Sequence, residues 1–245
     1  MCSSDLVLQE LTNFVNLELQ KMANWYRSNK MAVNTSKTKF IIFRTHGKQI
    51  EPGACGVVYN STEVGLPDNP DLILPLDRIH NQGEEKSFKL LGVHFDEFLS
   101  FEHHITHLCS KISKSLYCIN KVKNFIDGES LKKLYFAMVH SHLSYCINVY
   151  SAATQTNLSR VEIKQKQAIR TISLSGYRDH TAPIFKKLKI LPLEKLIIFN
   201  RAKFMHKYLN NKLPLSFSET WIKNRDRNLN LNLRNADDLY VPPIE

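Results

Sequence analysis

From Leu8 onward, apolar residues recur three or four positions apart at Leu8, Leu11, Val15, Leu19 and Met22, the spacing of a single buried stripe along a helix. Ser3, Ser4 and Asp5 offer side-chain acceptors for the free N–H groups of a helix start, and Asn29 is a stop. A helix of about six turns is therefore predicted as far as Arg27. A polar Asn/Thr/Ser loop carrying Lys37 follows, and KFIIF (residues 39–43) then reads as a short buried strand. Residues 51–71 are punctuated by Gly, Pro, Asn and Asp, which predicts turns around a brief strand near Val57 and Val58. LILPL (residues 72–76) and FKLLGVHF (residues 88–95) are two further strands, separated by a polar loop from Asp77 to Ser87.

From about His103 the period becomes helical. Ile105, Leu108, Ile112, Leu116 and Ile119 make one stripe, with Lys111, Lys114 and Lys121 on the opposite face. Asp127 is the N-cap of a second helix whose apolar residues lie all round it (Leu131, Leu134, Met138, Val139, Leu143, Val149), as in the middle of a bundle. A third helix, Leu158 to Ser173, exposes Arg160, Lys164, Lys166 and Arg170. After a break at SGYRDHTAP come two shorter helical stretches, the last ended by Asn210 and Asn211 before Pro214. The remainder is Asn-rich and is predicted to be flexible without a partner. The fold class is thus α+β: a helix with short antiparallel strands, then a mainly helical bundle.

With 43% hydrophobic and 23% charged residues the chain belongs among globular domains. The net charge of +10 is unevenly placed: residues 1–107 hold 10 Lys/Arg against 13 Asp/Glu, residues 108–213 hold 19 against 5, and residues 214–245 hold 4 against 5. A cationic surplus confined to the helical segment suits a polyanionic partner, and nucleic acid is the commonest. The five cysteines form no C-x-x-C pair, which points to reduced, buried thiols, an intracellular setting in cytoplasm or nucleus, and no disulfide frame. MCSSDLVLQEL has neither a basic region nor a continuous apolar run, so it is not read as a secretory signal. Leu134 to Ser159 carries no Asp, Glu, Lys or Arg, yet His140, Ser141, His142, Ser144 and Asn148 interrupt it, so a buried helix is expected and no membrane span.

Candidate chemistry is sparse. Asp237 and Asp238 after Ala236 could serve as paired metal ligands, but no strand-turn-strand frame holds them and no third carboxylate can be placed beside them. His103 and His107 share a helix face, without the intervening glutamate of a zinc hydrolase, so HHITH reads as polar histidines at a helix start. GACG (residues 53–56) is too short for a phosphate loop. No metal site and no complete catalytic site is assigned.

NWYRSNKMAVNTSKTKFIIF (Asn24 to Phe43) followed by FKLLGVHFDEFLSFEHHI (Phe88 to Ile105) resembles the end of the reverse transcriptase domain of non-long-terminal-repeat retrotransposons of the jockey-like group. The resemblance rests on Asn29, Lys30, Asn34, Lys37 and Thr38, then on Leu91, Gly92, Val93, Asp96, Leu99, His104 and Ile105, and continues through most of the helical segment. It implies that residues 1–104 are the C-terminal remnant of a polymerase palm, 105–215 a basic thumb-like region and 216–245 a flexible tail. It also implies that Lys37 protonates, or electrostatically neutralises, the pyrophosphate leaving group in the intact enzyme. Leu91, Gly92 and Val93 are implied to form the primer grip.

Lys111, Lys114, Lys121, Arg160, Lys164, Lys166 and Arg170 would then meet the backbone of an RNA template and DNA primer. The family's aromatic-Ala-Asp-Asp hairpin, which stands just before the first helix, is not in these 245 residues. The chain is accordingly expected to lack polymerase activity alone and to hold no cofactor, Mg²⁺ being expected only in the intact parent enzyme. The alternatives are a non-catalytic nucleic-acid-binding protein and an inert product of a decayed element.

Overall fold

The computed structural model describes residues 3–51, 55–60, 73–83 and 85–217, with Trp221, Asn224 and Leu239. The first stripe folds as α1, Ser3–Ser28, closed by Lys30 in the left-handed region. The predicted burial of that stripe is only partly realised. Ala23 is buried, Val15 and Leu19 are half-covered, and Leu11, Met22 and Trp25 stay exposed. Among the described residues its partner is small: only Ala23, Val57, Tyr59 and Leu76 are buried in this cluster, with Val15, Leu19, Val33 and Phe40 against it. Asn16 fastens α1 to the strand beside it, donating to the Gly56 carbonyl and accepting from the Val58 N–H, each at 3.0 Å.

Among the described residues, six three-residue strands make three two-stranded pairs. β1 (Lys39–Ile41) pairs in parallel with β4 (Asp77–Ile79), and β2 (Val58–Asn60) pairs antiparallel with β3 (Ile73–Pro75). β4 lies in the stretch predicted as a polar loop, and its pairing is parallel where antiparallel strands were expected. Asp-Arg-Ile is too short to display an alternation, and the long excursion between β1 and β4 permits the crossover that a parallel pair requires. FKLLGVHF, read from its pattern as one strand, is a hairpin of β5 (Phe88–Leu90) and β6 (Val93–Phe95). The chain reverses at Leu91 (φ 46°) and Gly92 (φ 86°), the two positive φ values of a tight hairpin turn that only glycine adopts without cost.

Asp96 then starts the helical part. Its carboxylate accepts the Phe98, Ser100 and Phe101 N–H groups and the Ser100 hydroxyl at 2.8–3.1 Å, holding the turn into α2 (Glu102–Val122). The α2 stripe is buried as predicted, except that Leu116 is only partly covered. Asp127 caps α3 (Gly128–Tyr135), accepting from the Glu129 and Ser130 N–H groups. The helix predicted beyond it is not continuous. A π-turn, Phe136–His140, leads into α4 (Ser141–Ser144), and Cys146 at φ 50° separates α5 (Ile147–Tyr150).

Nor is it apolar all round. Leu131, Tyr135, Val139 and Leu143 are buried, whereas Phe136 and Val149 are exposed. Positions four apart drift by about 40° per step on a regular helix. The wider π-turn takes that drift back, so all four side chains face one core.

α6 (Gln155–Ile172) runs alongside α2 in the same sense, Arg160 meeting Thr106 at one end. α7 (Thr181–Leu188) and α8 (Leu193–Leu209) complete a core that extends from Val93 to Ile197. Gln165, invisible as a core residue in the sequence, is fully buried. Its amide donates to the Tyr135 hydroxyl and the Leu191 carbonyl and accepts the Leu193 N–H, so one side chain ties α3, α6 and α8.

Of the expected tail, Phe217 and Trp221 pack on Phe204 and Tyr208 of α8. Asp237 and Asp238 lie outside the described residues. Thiols expected to be buried are so at Cys55 and Cys109, but Cys118 is exposed, on the solvent side of α2 beside Tyr117, and Cys146, in the turn between α4 and α5, is half-exposed. No helix among the described residues is long and apolar enough to cross a membrane.

Candidate nucleic-acid interface

Asn34 builds the lysine loop. Its side chain accepts the Lys37 N–H at 3.2 Å and the Ser36 hydroxyl at 2.7 Å, and its carbonyl accepts the Thr38 hydroxyl at 2.9 Å. These bonds close a one-turn 3₁₀ helix, Thr35–Lys37, and leave the Lys37 side chain exposed at its end. The Asn-x-x-Lys-Thr pattern is thus a device for presenting an ammonium on a short, hydrogen-bonded loop.

Between α2 and α6 lies an open groove of about 530 Å³, lined by Tyr117 and Asn120 from α2, Lys123 just after it, Lys164, Gln167, Arg170 and Thr171 from α6, and Tyr177 from the following loop. Among the described residues that line it there is no Asp or Glu. Tyr117 is 65% and Tyr177 81% exposed, so both rings are free to stack on a flat partner. Lys121 Nζ lies 5.4 Å from the centre of the Tyr117 ring, within cation–π range. The Arg170 Nε donates to the Asp179 carbonyl at 2.9 Å, which fixes the guanidinium at the groove wall. Cations interleaved with exposed aromatic faces are what a nucleic-acid strand needs, charge for its phosphates and flat surfaces for its bases.

The seven basic residues expected to meet primer-template are divided by the fold. Lys164 and Arg170 line the groove and Lys121 stands at its edge. Arg160 is spent on Thr106 and Asn157 at the far end of the helix pair, and Lys166 pairs with Glu162 at 2.6 Å. Lys114 is exposed on the outer face of α2, and Lys111 faces the opposite flank. Lys123, Tyr117 and Tyr177 are groove residues that sequence reasoning missed. Their signal was available only in part, as aromatic positions interleaved with the basic ones.

On that opposite flank the β5–β6 hairpin meets α2 and α4. Leu91 is the exposed tip, Gly92 lies against the Tyr145 ring, Tyr145 donates its hydroxyl to the Leu91 carbonyl, and Val93 is buried in the core. A cavity of about 390 Å³ opens beneath Gly92, walled by His104, His107, Leu108, Lys111, Ser141, His142 and Tyr145. The histidines are not merely polar residues at a helix start. His104 is 5% exposed, and burial, with the nearby His94, His107 and Lys111, pushes it down to about 4. His107 and His142 are also lowered, first by burial and then by Lys111.

Glu97, which no motif singled out, is fully buried between the two hydrophobic clusters. Arg44 grips its carboxylate through Nε at 2.9 Å and a terminal nitrogen at 3.1 Å, Arg78 approaches to 3.5 Å, and the Asn81 N–H donates at 3.0 Å. Burial alone would raise this carboxyl; the Arg44 hydrogen bonds, the Asn81 N–H and the two guanidinium charges overcome that and hold it below the ordinary carboxylate range.

Over 106 residues the chain is 30% identical to the RNA-directed DNA polymerase from mobile element jockey of Drosophila funebris. The match covers 42% of this chain and 12% of that polymerase, so it spans a small part of its relative's length. It supports a reverse-transcriptase-like relationship. No protein-family model matches the chain, and no solved structure matches it significantly.

Proposed function

We propose that this chain is part of an RNA-directed DNA polymerase of a non-long-terminal-repeat retrotransposon, in which the α2–α6 groove seats primer-template through its backbone and bases. The observation that supports this most is the groove, with Lys164, Arg170 and Lys123 beside two exposed tyrosines and no acidic lining. The partial identity to the jockey polymerase supplies the class. Lys37, held up by Asn34, takes the leaving-group role in the intact enzyme, and the hairpin tip at Leu91, Gly92 and Val93 takes that of primer grip. Both roles depend on residues outside this chain.

Mg²⁺ would polarise the transferred phosphoryl group in such an enzyme. Among the described residues no three His, Cys, Asp or Glu side chains gather as a metal site requires, so they do not fit the ion. The role proposed here for this chain is binding, without nucleotidyl transfer of its own.

Fluorescence anisotropy of the full chain with a labelled RNA–DNA hybrid tests this. Affinity should fall steeply from 50 to 200 mM salt, with a logarithmic slope of about −0.9 per phosphate neutralised. Lys164→Ala and Arg170→Ala should each weaken binding to every sequence alike and flatten the slope by about one. Affinity indifferent to salt and to both substitutions overturns the proposal, and no affinity at all favours an inert relic. Steady template-directed nucleotide incorporation by the purified chain would contradict the non-catalytic part.

A further inference from the structure

Positive charge serves the phosphates of a single strand and of a double helix alike, so the aromatic and amide groups of the α2–α6 groove decide which it takes. Tyr117 stands on α2 and Tyr177 on the loop after α6, both mostly exposed. Just past Lys123 the Phe125 ring is 85% exposed, so open rings gather where the two helices end. Large rings left in water in one region mark a surface that takes a partner. Asn120 and Gln167 add amide donors and acceptors, one from each helix.

A double helix cannot use these groups. Its bases are stacked on their neighbours, so a protein ring reaches a base face only at a duplex end. Their Watson–Crick edges are engaged with the opposite strand, out of reach of Asn120 and Gln167. An unpaired strand offers both, since each base presents a face to stack on and an edge to bond. Size points the same way. At about 530 Å³ the groove has the capacity of a small-molecule site, about 300–1,000 Å³, which admits a base with its sugar and phosphate but not the body of a duplex.

The cations suit such a strand. Lys164 and Arg170 come from α6 and Lys123 follows α2, so positive charge stands on both walls. Arg170 keeps its terminal nitrogens for a phosphate, because it is Nε that meets the Asp179 carbonyl. Lys121 lies over the Tyr117 ring and adds its charge beside the stacking position.

We propose that the groove takes an unpaired nucleic-acid strand in preference to a double helix, with bases stacked on Tyr117 and Tyr177 and phosphates on Lys164 and Arg170. This rests on the reading of the groove as the nucleic-acid interface and narrows it to the single-stranded part of a primer-template. Because every base has a face, the strand is held with little regard to sequence.

Fluorescence anisotropy of the full chain with three labelled probes of equal length tests this: an unstructured pyrimidine DNA strand, the same sugar-phosphate strand without bases, and a blunt-ended RNA–DNA hybrid. The unpaired strand should bind about ten-fold tighter than the hybrid at the same salt, and removal of its bases should abolish that advantage. Tyr117→Ala and Tyr177→Ala should each weaken the unpaired strand about 5- to 150-fold, the effect of losing one base–aromatic stack, and the hybrid far less. Tyr177→Phe, which keeps the ring, should bind like the wild type. A hybrid that binds as tightly as the unpaired strand overturns the proposal, as does a base-free strand that matches the base-bearing one, or a pair of tyrosine-to-alanine variants without effect on it. The wider reading of the groove survives those results if Lys164→Ala and Arg170→Ala still weaken the hybrid. Absence of salt-dependent binding to all three probes overturns both.

Discussion

Glu97→Ala should lower the stability of the folded chain by about 3–5 kcal/mol, the cost of leaving two buried guanidinium groups without their counter-charge. Arg44 and Arg78 are 9% and 4% exposed at the side chain and Glu97 not at all, so both guanidinium groups are poorly hydrated where the carboxylate meets them. The effect is large against a typical total of about 5–15 kcal/mol. Glu97→Gln keeps the shape and an acceptor for the Asn81 N–H, and should fall between wild type and Glu97→Ala. Glu18→Ala, which breaks only the exposed Glu18–Lys21 pair, should change stability by no more than about 0.5 kcal/mol. Urea unfolding at pH 7 compares the three; a Glu97→Ala midpoint close to that of Glu18→Ala would show that the Arg–Glu–Arg contact holds nothing together.

The consequence reaches beyond stability. Arg44 follows β1 and Arg78 lies in β4, both in the part that carries Lys37, whereas Glu97 lies between β6 and α2. The Arg44 N–H also donates to the Glu97 carbonyl at 2.9 Å. This knot lies between the small cluster around Ala23 and the large helical core, and it fixes how the lysine loop is carried relative to the helices.

Acidification from pH 7 to pH 4 should cost on the order of 3 kcal/mol through His104 alone, at about 1.4 kcal/mol per unit. The folded state holds this imidazole at about 4 against an ordinary 6.5, so below 6.5 the unfolded chain binds a proton that the folded chain refuses. The stabilisation is therefore complete above 6.5 and is lost as pH falls toward 4. His94, His107, His140 and His142, all lowered with burial as the first cause, add to the loss in the same direction. Glu97, lowered for its own reasons, gives way only further down, as pH drops through its folded value. Urea midpoints at pH 7, 5.5 and 4.5 measure the slope. His104→Gln removes the largest titrating contribution and should flatten it even if it lowers stability at pH 7; an unchanged slope would assign the acid lability elsewhere.

What could be read from the chain before its structure depended on the distance over which each signal acts. Asp127 acts on N–H groups two and three residues away, and the α2 stripe repeats within one element, so that cap and the long helices were legible. β4 was not, because three residues show no period and its partner β1 lies far back in the chain. The π-turn was not, because Leu131, Tyr135, Val139 and Leu143 reveal their common direction only when packed against α2 and α6. The histidines were visible as a cluster, but their depressed titration arises from burial beneath a hairpin and from Lys111.

The sequence by itself determined where α1, α2 and α6 run and where α3 begins, that the positive charge lies in the helical part, and that a polar Asn/Thr/Ser loop carries Lys37. Those properties depend on local hydrogen bonds, periodicity and counting. Tertiary structure alone decided which cations share a groove with Tyr117 and Tyr177, which imidazoles share a cavity with Lys111, and that Glu97 sits between Arg44 and Arg78. Each joins side chains from elements remote along the chain, and their spacing is set by how α2, α6 and the hairpin pack.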